Sequence, residues 1–299
     1  MQISRNYSKF ARFLNLGMEL IFGKKELRSH LQSLKKESGT LGLVPTMGAL
    51  HEGHLSLVEK ALAENDHVLV TIFVNPTQFN NPEDLEKYPK TLESDLALLK
   101  TVSEGIIVFA PAVEEVYSEH VAPKEYAFDG LDKVMEGEFR GGHFNGVATI
   151  VETLLDLIRP DRAYFGEKDF QQLQIVRRLV TSLPFEVIIV GCPIVREPNG
   201  LAMSSRNRQL SEGMRERAGV IYETLTEARR MFGTENATKI DEYVSDVFSS
   251  EKEMELEYFQ ITDVETLTPL IKKQKNRKYR GFIAVYAEGV RLIDNIAMN

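Results

Sequence analysis

The sequence predicts an α/β fold: a doubly wound parallel sheet followed by a smaller C-terminal α+β domain. Three observations carry this. His67–Val74 (HVLVTIFV) is an almost unbroken apolar, β-branched run, as expected of a parallel strand buried on both faces. Similar short runs at 19–22, 41–45, 106–110, 163–165 and 185–190 are interleaved with amphipathic helical patterns, which is the alternation of an α/β sheet. Beyond Pro193 the pattern changes. Two helices, about 211–231 and 238–250, precede strands at 255–262 and 282–287 and a short one near 291–293. The expected organisation is therefore a domain over 18–192 and a smaller one over 193–299.

Each element has a local reason. Met1–Gly17 carries Arg5, Lys9 and Arg12 and no acid, so it is expected as an extension outside the fold, from an upstream start or as a weak transit-like segment. Met18 then opens the first strand. Lys24–Glu37 is a polar helix with Leu27, Leu31 and Leu34 on one face, stopped by Gly39. After the strand at 41–45 a helical pattern covers 55–63. Asn75–Pro76 ends the run at 67–74, a loop covers Thr77–Tyr88, and a helix covers about 91–103. Residues 111–146 read as irregular, feeding a helix at 147–158. A last helix of this domain covers 170–182, and 185–190 is expected as its last buried strand.

Bulk properties exclude several classes of function. At 299 residues the chain can bury a substantial core, and 43% hydrophobic with 27% charged residues is a globular composition. A net charge of −8 argues against a nucleic-acid-binding surface. One cysteine, Cys192, excludes an intrachain disulfide and a cysteine zinc cluster and fits a reducing, cytoplasmic location. No apolar stretch approaches the ~20 residues of a membrane span.

The chemistry concentrates where strands end. In Pro45–His54 (PTMGALHEGH) a strand turns through Gly48 and Gly53 into a helix whose mouth carries His51 and His54. A helix N-terminus presents unpaired N–H groups and positive dipole, and glycines let the backbone approach a ligand, so this stretch suits a nucleotide triphosphate. The same spacing fits an ordinary βα turn with two surface histidines. Gly166-Glu167-Lys168-Asp169 and Met203-Ser204-Ser205-Arg206-Asn207 are the other polar loops. Lys168 and Arg206 are cations suited to a polyphosphate, although Lys168 also fits a solvated helix start, and the serines a polar turn capping the next helix. Ligands of open α/β sheets sit beyond the carboxyl ends of strands, so the first two loops are expected at one crevice. Asn75 and Gln78 offer neutral amides for a small polar substrate; Asn-Pro turn chemistry explains Asn75 as well. Asp95 fits either a magnesium ion or a solvated helix face. His143, in its glycine-rich loop, fits either a residue reaching the crevice or a surface-loop histidine, the second being favoured, and His30, His67 and His120 have no chemical neighbourhood. There is no Walker lysine motif and no strand-linked G-x-G-x-x-G.

Taken in order, PTMGALHEGH at 45–54, TIFVNPTQF at 71–79, YPKTLESDL at 88–96, GHFNGVAT at 142–149, RPDRAYFGEKDFQQL at 159–173, PIVREPNGLAMSSRN at 193–207 and RLIDN at 291–295 resemble the pantoate–β-alanine ligase family. The resemblance runs from Met18 to the end of the sequence. The family is part of the nucleotidylyltransferase superfamily, with HEGH as the HIGH-like motif and Met203–Arg206 in the place of KMSKS. It implies a Rossmann-like fold with a C-terminal lid, a homodimer, ATP as a substrate with Mg²⁺, and ligation of pantoate to β-alanine through pantoyl adenylate. It further implies that His54, His51, Lys168 and Arg206 are the catalytic residues. Met47, Gly48, Ala49, Leu50, His51, Glu52, Gly53, His54, Gly166, Glu167, Lys168, Asp169, Val195, Met203, Ser204, Ser205 and Arg206 would bind ATP. Gln78 would hold pantoate and β-alanine, Gln172 would hold pantoate, and Asn75 and Tyr88 would lie close by. Asp95 would be the metal ligand. The sequence departs from some relatives at Ser94, where they carry an additional acid before Asp95. Two alternatives remain: another small-substrate nucleotidylyltransferase of this fold, which would need basic residues where Gln78 and Gln172 stand, and a non-catalytic ATP-binding module.

Overall fold

The computed structural model describes residues 18–79, 85–86, 88–117 and 122–299. The expected N-terminal extension and His120 lie outside them, as does part of the loop expected at 77–88. Two compact units are present. One comprises the described residues up to Phe128 with Arg140–Gly166 and Ile175–Cys192; the other comprises Asp129–Phe139, Glu167–Gln174 and Pro193–Asn299.

The first unit is built on a six-stranded parallel sheet. Its strands are β1 (Glu19–Ile21), β2 (Leu41–Thr46), β3 (His67–Ile72), β4 (Ile107–Phe109), β5 (Arg162–Gly166) and β6 (Ile188–Cys192), in the order β1-β4-β3-β2-β5-β6. From β2 the chain continues to one side and later returns on the other, so the order reverses between β2 and β5. That reversal is where ligands bind in sheets of this kind, and β2 runs directly into the HEGH turn. Burial on both faces explains the continuous apolar runs. Val44, Val68, Val70 and Val108 pack with Leu57, Val58 and Ala61 of helix Glu52–Glu64 and with Leu96 and Leu99 of helix Leu92–Val102. The alternate residues Leu43, Leu69, Ile107 and Ala163 point the other way and are also buried.

The expected strand at 185–190 needs correcting. The strand is Ile188–Cys192, and it lies at the sheet edge with Ile188 57% exposed. A β-branched run reports strand propensity, not the number of neighbouring strands, so edge and centre read alike. The segment 111–146 is also less irregular than expected: it holds short helices at Val113–Val116 and Glu136–Phe139, and the next long helix begins at His143, not at 147. Gly142, at φ +78°, supplies the left-handed entry to that helix. Gly146 then sits inside it against the turn at Pro76–Gln78; a Cβ there would lie 2.1 Å from the Thr77 carbonyl oxygen.

The second unit holds an antiparallel sheet of β7 (Met254–Asp263), β8 (Tyr279–Ala287) and β9 (Val290–Ala297), in that order. β9 is a full strand, longer than the expected 291–293. Ile221, Leu225 and Ala228 of helix Val220–Phe232 and Ile240, Val244 and Phe248 of helix Ala237–Ser250 share its core with Phe259, Ile283, Val285 and Leu292. The helix expected over 211–231 is interrupted: Glu212–Arg217 ends and Val220–Phe232 begins around Gly219. There the backbone approaches Asn199, whose Nδ2 caps the carbonyls of Arg215 (2.8 Å) and Glu216 (2.9 Å).

Segment 129–139 belongs with this sheet for an electrostatic reason. Arg291 of β9 forms a two-pronged pair with Glu136 (2.6 and 2.7 Å) and also binds Glu257 (2.8 Å from Nε), while the Tyr258 hydroxyl donates to Glu136 (2.8 Å). Burial and the adjacent Glu136 charge push the Tyr258 hydroxyl far up, so it stays a donor. Gln171 adds bonds from its Nε2 to the Leu131 and Val134 carbonyls, both 2.7 Å. Among the described residues no helix is long and apolar enough to cross a membrane.

Replacing Gly146 by Ala drives a methyl into a backbone carbonyl that cannot move aside cheaply. The expected loss is about 1–3 kcal/mol of stability, read from the midpoint of urea denaturation. An unchanged midpoint would contradict the close packing of this helix on the 76–78 turn.

Candidate active site

The HEGH turn of the first unit is a strained loop held from beneath. Gly48 (φ +83°) and Ala49 (φ +51°) are consecutive left-handed residues, and the second carries a steric penalty because it has a Cβ. Asp95 maintains this conformation. Its Oδ2 accepts the Ala49 N–H (3.1 Å), its Oδ1 accepts the Leu50 N–H (2.8 Å), and the Thr91 hydroxyl lies 3.2 Å from both oxygens. The carboxylate is 2% exposed and sits in the first turn of helix Leu92–Val102, whose N-terminal dipole end offsets the cost of burying the charge.

This corrects one reading of Asp95 and bears on the other. The residue is not on a solvated helix face. Both of its oxygens are committed to the turn, which does not fit a metal ligand, and no group of three or more metal-binding side chains exists among the described residues. Thr46 adds to the support. Its hydroxyl donates to the Thr71 carbonyl (2.6 Å) and accepts the Gly48 N–H (3.2 Å).

Beyond the turn, His51 caps helix Glu52–Glu64 in extended conformation. Its backbone N–H donates to His54 Nδ1 (3.3 Å), and the two rings tilt together with centroids 4.1 Å apart. A nitrogen that accepts from an amide carries no proton, so neutral His54 has its hydrogen on Nε2. Glu52 is exposed in the first helical turn, where a negative charge is favoured.

The amides behave differently from one another. Asn75, 1% exposed, is fully engaged: its Oδ1 accepts from the Tyr117 hydroxyl (2.7 Å) and from Thr77, and its Nδ2 donates to the Gly146 carbonyl (3.1 Å) and to Gln78 Oε1 (3.2 Å). It thus orients Gln78, whose Nε2 lies on the Met47 sulfur. His143 completes the support. It is buried, which corrects the favoured surface-loop reading, and its Nδ1 donates to the Gln78 carbonyl (2.8 Å). Tyr88 meets Phe79 edge to face at 5.6 Å. No local pattern signals the His143 role, because the contact joins residues 65 positions apart.

The remaining candidates sit in the second unit, apart from Gly166, which ends β5. Glu167–Asp169 is a 3₁₀ turn with the Lys168 ammonium 3.9 Å from Asp169. Gln172 is half-buried beside the fully engaged Gln171. Val195 and Met203 face each other across a short hairpin, the Met203 N–H donating to the Val195 carbonyl (3.0 Å). Ser204 caps the 3₁₀ turn Ser205–Gln209, its Oγ accepting the Arg206 N–H (3.3 Å). Asn207, 2% exposed, pins the loop to Glu197 (2.8 Å) and to the Ala202 carbonyl (3.1 Å).

A family model for pantoate–β-alanine ligase matches residues 19–297. The chain belongs to the pantoate–β-alanine ligase family. Among its relatives are the pantothenate synthetases of Christiangramia forsetii, 53% identical over 94% of this chain and 100% of the relative, and of Flavobacterium psychrophilum, 51% identical over 93% and 99%. A crystal structure of pantothenate synthetase from Thermus thermophilus superposes with a TM-score of 0.86, at 43% identity over 94% of this chain and 99% of that one. A pantoate–β-alanine ligase from Francisella tularensis, complexed with β,γ-ATP and β-alanine, gives a TM-score of 0.77 at 36% identity, covering 94% and 98%. The family thus shares the fold over almost the whole chain.

Asp95→Ala would leave the Ala49 and Leu50 N–H groups buried without their acceptor, at about 1–3 kcal/mol each. The expected result is a lower denaturation midpoint together with a raised KM for ATP. Loss of stability with ATP binding intact would show that the turn keeps its shape without the carboxylate.

Proposed function

We propose that this chain ligates pantoate to β-alanine, consuming ATP and releasing AMP and pyrophosphate. The pantoate carboxylate attacks the α-phosphorus of ATP and the bond to pyrophosphate breaks, giving pantoyl adenylate. The β-alanine amine then attacks the activated acyl carbon, AMP leaves with the bonding pair, and the amine proton passes to solvent. Membership of the family supports this reaction, as does the Francisella complex with an ATP analogue and β-alanine. The single observation on this chain that carries the reading furthest is the HEGH mouth, a helix N-terminus behind a turn held by a buried carboxylate.

In this reading residues 47–54 line the ATP site and His54 uses its Nε2–H to grip a phosphate oxygen. Pyrophosphate leaves as an anion and needs no full proton, and the bond from His51 to Nδ1 favours a donor over an acid. The carboxylate and the α-phosphate are both anions, so Lys168 and Arg206 offset their repulsion. Ser204, Ser205, Met203, Val195 and Gly166–Asp169 complete the nucleotide contacts. Gln78, oriented by Asn75, holds pantoate and then β-alanine, and Gln172 holds pantoate; neutral amides suit a small hydroxy acid better than a phosphorylated substrate. Tyr88 stands near them. Mg²⁺ enters with ATP as part of the substrate. A homodimer, a cytoplasmic location and a lid role for residues 193–299 accompany the proposal.

The deciding experiment is pyrophosphate release from Mg·ATP with pantoate alone, followed by pantothenate formation when β-alanine is added. Release supported by unrelated carboxylic acids and not by pantoate would overturn the substrate assignment; ATP binding without release would favour the non-catalytic alternative.

A pair of variants addresses His54. His54→Ala is expected to slow pyrophosphate release about 10²–10³-fold, the usual cost of losing a transition-state donor. His54→Gln, which keeps an N–H, is expected to retain a measurable part of that rate. Equal loss in both variants would mean that the ring moves a proton.

A further inference from the structure

No chemistry attaches to the RLIDN run at 291–295 from the sequence alone, yet its last two residues hold both nucleotide loops of the second unit. Asn295 is 2% exposed. Its Nδ2 donates one hydrogen to the Glu167 carbonyl and one to the Lys168 carbonyl, both at 2.9 Å. Its Oδ1 accepts from Arg280 Nη1. Through Nη2 the same arginine pairs with the Glu167 carboxylate (3.0 Å), and its guanidinium lies 4.0 Å over the Phe170 ring. The turn carrying Lys168 is therefore held at two carbonyls, one carboxylate and the ring that follows, all from adjacent strands β8 and β9.

Asp294 does the equivalent for the other loop. Only 4% exposed, it receives Arg196 on both oxygens (2.5 and 3.0 Å). Arg196 also donates to the Gly200 carbonyl (3.0 Å) and lies 3.7 Å over the Tyr222 ring. It follows Val195 directly, and Val195 is bonded to Met203 across the hairpin. Successive strand side chains point to opposite faces, so two adjacent residues of β9 can hold two separate loops. The Asn295 N–H donates to Asp294 Oδ1 (2.7 Å), joining the two supports.

We propose that Asp294 and Asn295 are positioning residues for the nucleotide: Asn295 sets the Glu167–Asp169 turn and hence the Lys168 ammonium, and Asp294 sets the 195–206 loop through Arg196. This rests on the reading above that these loops bind ATP. Neither residue is assigned a contact with substrate. The Asn295 amide and the Asp294 carboxylate are both satisfied, so exchanging donors for acceptors should displace the loop each one holds.

The test uses the full chain. Asn295→Asp keeps the side-chain volume and the acceptor for Arg280 but faces the Glu167 and Lys168 carbonyls with an oxygen. The expected result is a single cooperative melt, KM for ATP raised at least about tenfold, and KM for pantoate and for β-alanine within about twofold of the parent. Asp294→Asn, which keeps one acceptor, should raise KM for ATP less. In a Lys168→Met background the same Asn295→Asp change should add less than about twofold, because a residue acting through Lys168 has nothing left to position. A folded variant with unchanged KM for ATP, with all three KM values raised alike, or with its full effect in the Lys168→Met background would overturn the proposal. Where Asn295→Asp gives no cooperative melt, Asn295→Ser carries the same test; a chain that folds with neither replacement assigns Asn295 to the fold alone. Absence of pantothenate formation by the parent chain would instead count against the functional reading.

Discussion

The first unit depends on one constraint: a parallel strand must hand its chain to a helix through a left-handed turn. β2 ends in a pair of left-handed residues, one of them an alanine, and such a turn is unstable by itself. The Asp95 carboxylate supplies two charge-assisted bonds to its amides from a helix about 45 residues away in sequence. The carboxylate is itself tolerated because a helix N-terminus and the Thr91 hydroxyl receive it. The same turn leads directly into the extended His51 cap, the bond from the His51 N–H to His54 Nδ1 and the N-terminus of helix Glu52–Glu64.

The second unit solves a similar problem with a sheet. Short polar loops such as 167–169 and 203–206 make few bonds within themselves and take their shape from what they lie against. β9 provides that surface on both of its faces, and Arg280, Arg196 and Arg291 each bring a carboxylate and an aromatic, carbonyl or second carboxylate partner to it. Arginine suits the task because its planar fork can bond to two groups while its face stacks on a third.

The parallel strands were legible because burial on both faces leaves continuous apolar runs, and the family was legible because residue types at fixed spacing recur as ordered motifs. Legibility failed wherever the meaning of a residue depended on a distant partner. Ile188 reads as a buried strand residue and lies at an edge. His143 reads first as a surface-loop histidine and second as one reaching the crevice, and it is buried, bonded to the Gln78 carbonyl. Asn75 reads equally as a substrate amide or as Asn-Pro turn chemistry, and its cap on the Pro76–Gln78 turn with bonds to Tyr117 and Gly146 is visible only in the fold. Asp95, in the first turn of its helix, reads as a metal ligand or a solvated charge, and it is buried with bonds from Ala49, Leu50 and Thr91. In each case the local pattern fixes the type of element, which depends on neighbours in the chain, but not its environment.

The sequence by itself determined the α/β class, the order of most strands and helices, the family and the identity of the candidate polar loops. These are properties of periodicity and of residue type at fixed spacing, and both survive projection onto one dimension. Tertiary structure alone decided which polar residues are committed to supporting their neighbours. Hydrogen-bond valence is finite, and whether a carboxylate or amide has acceptors and donors left for a substrate is settled only by the groups that folding brings against it.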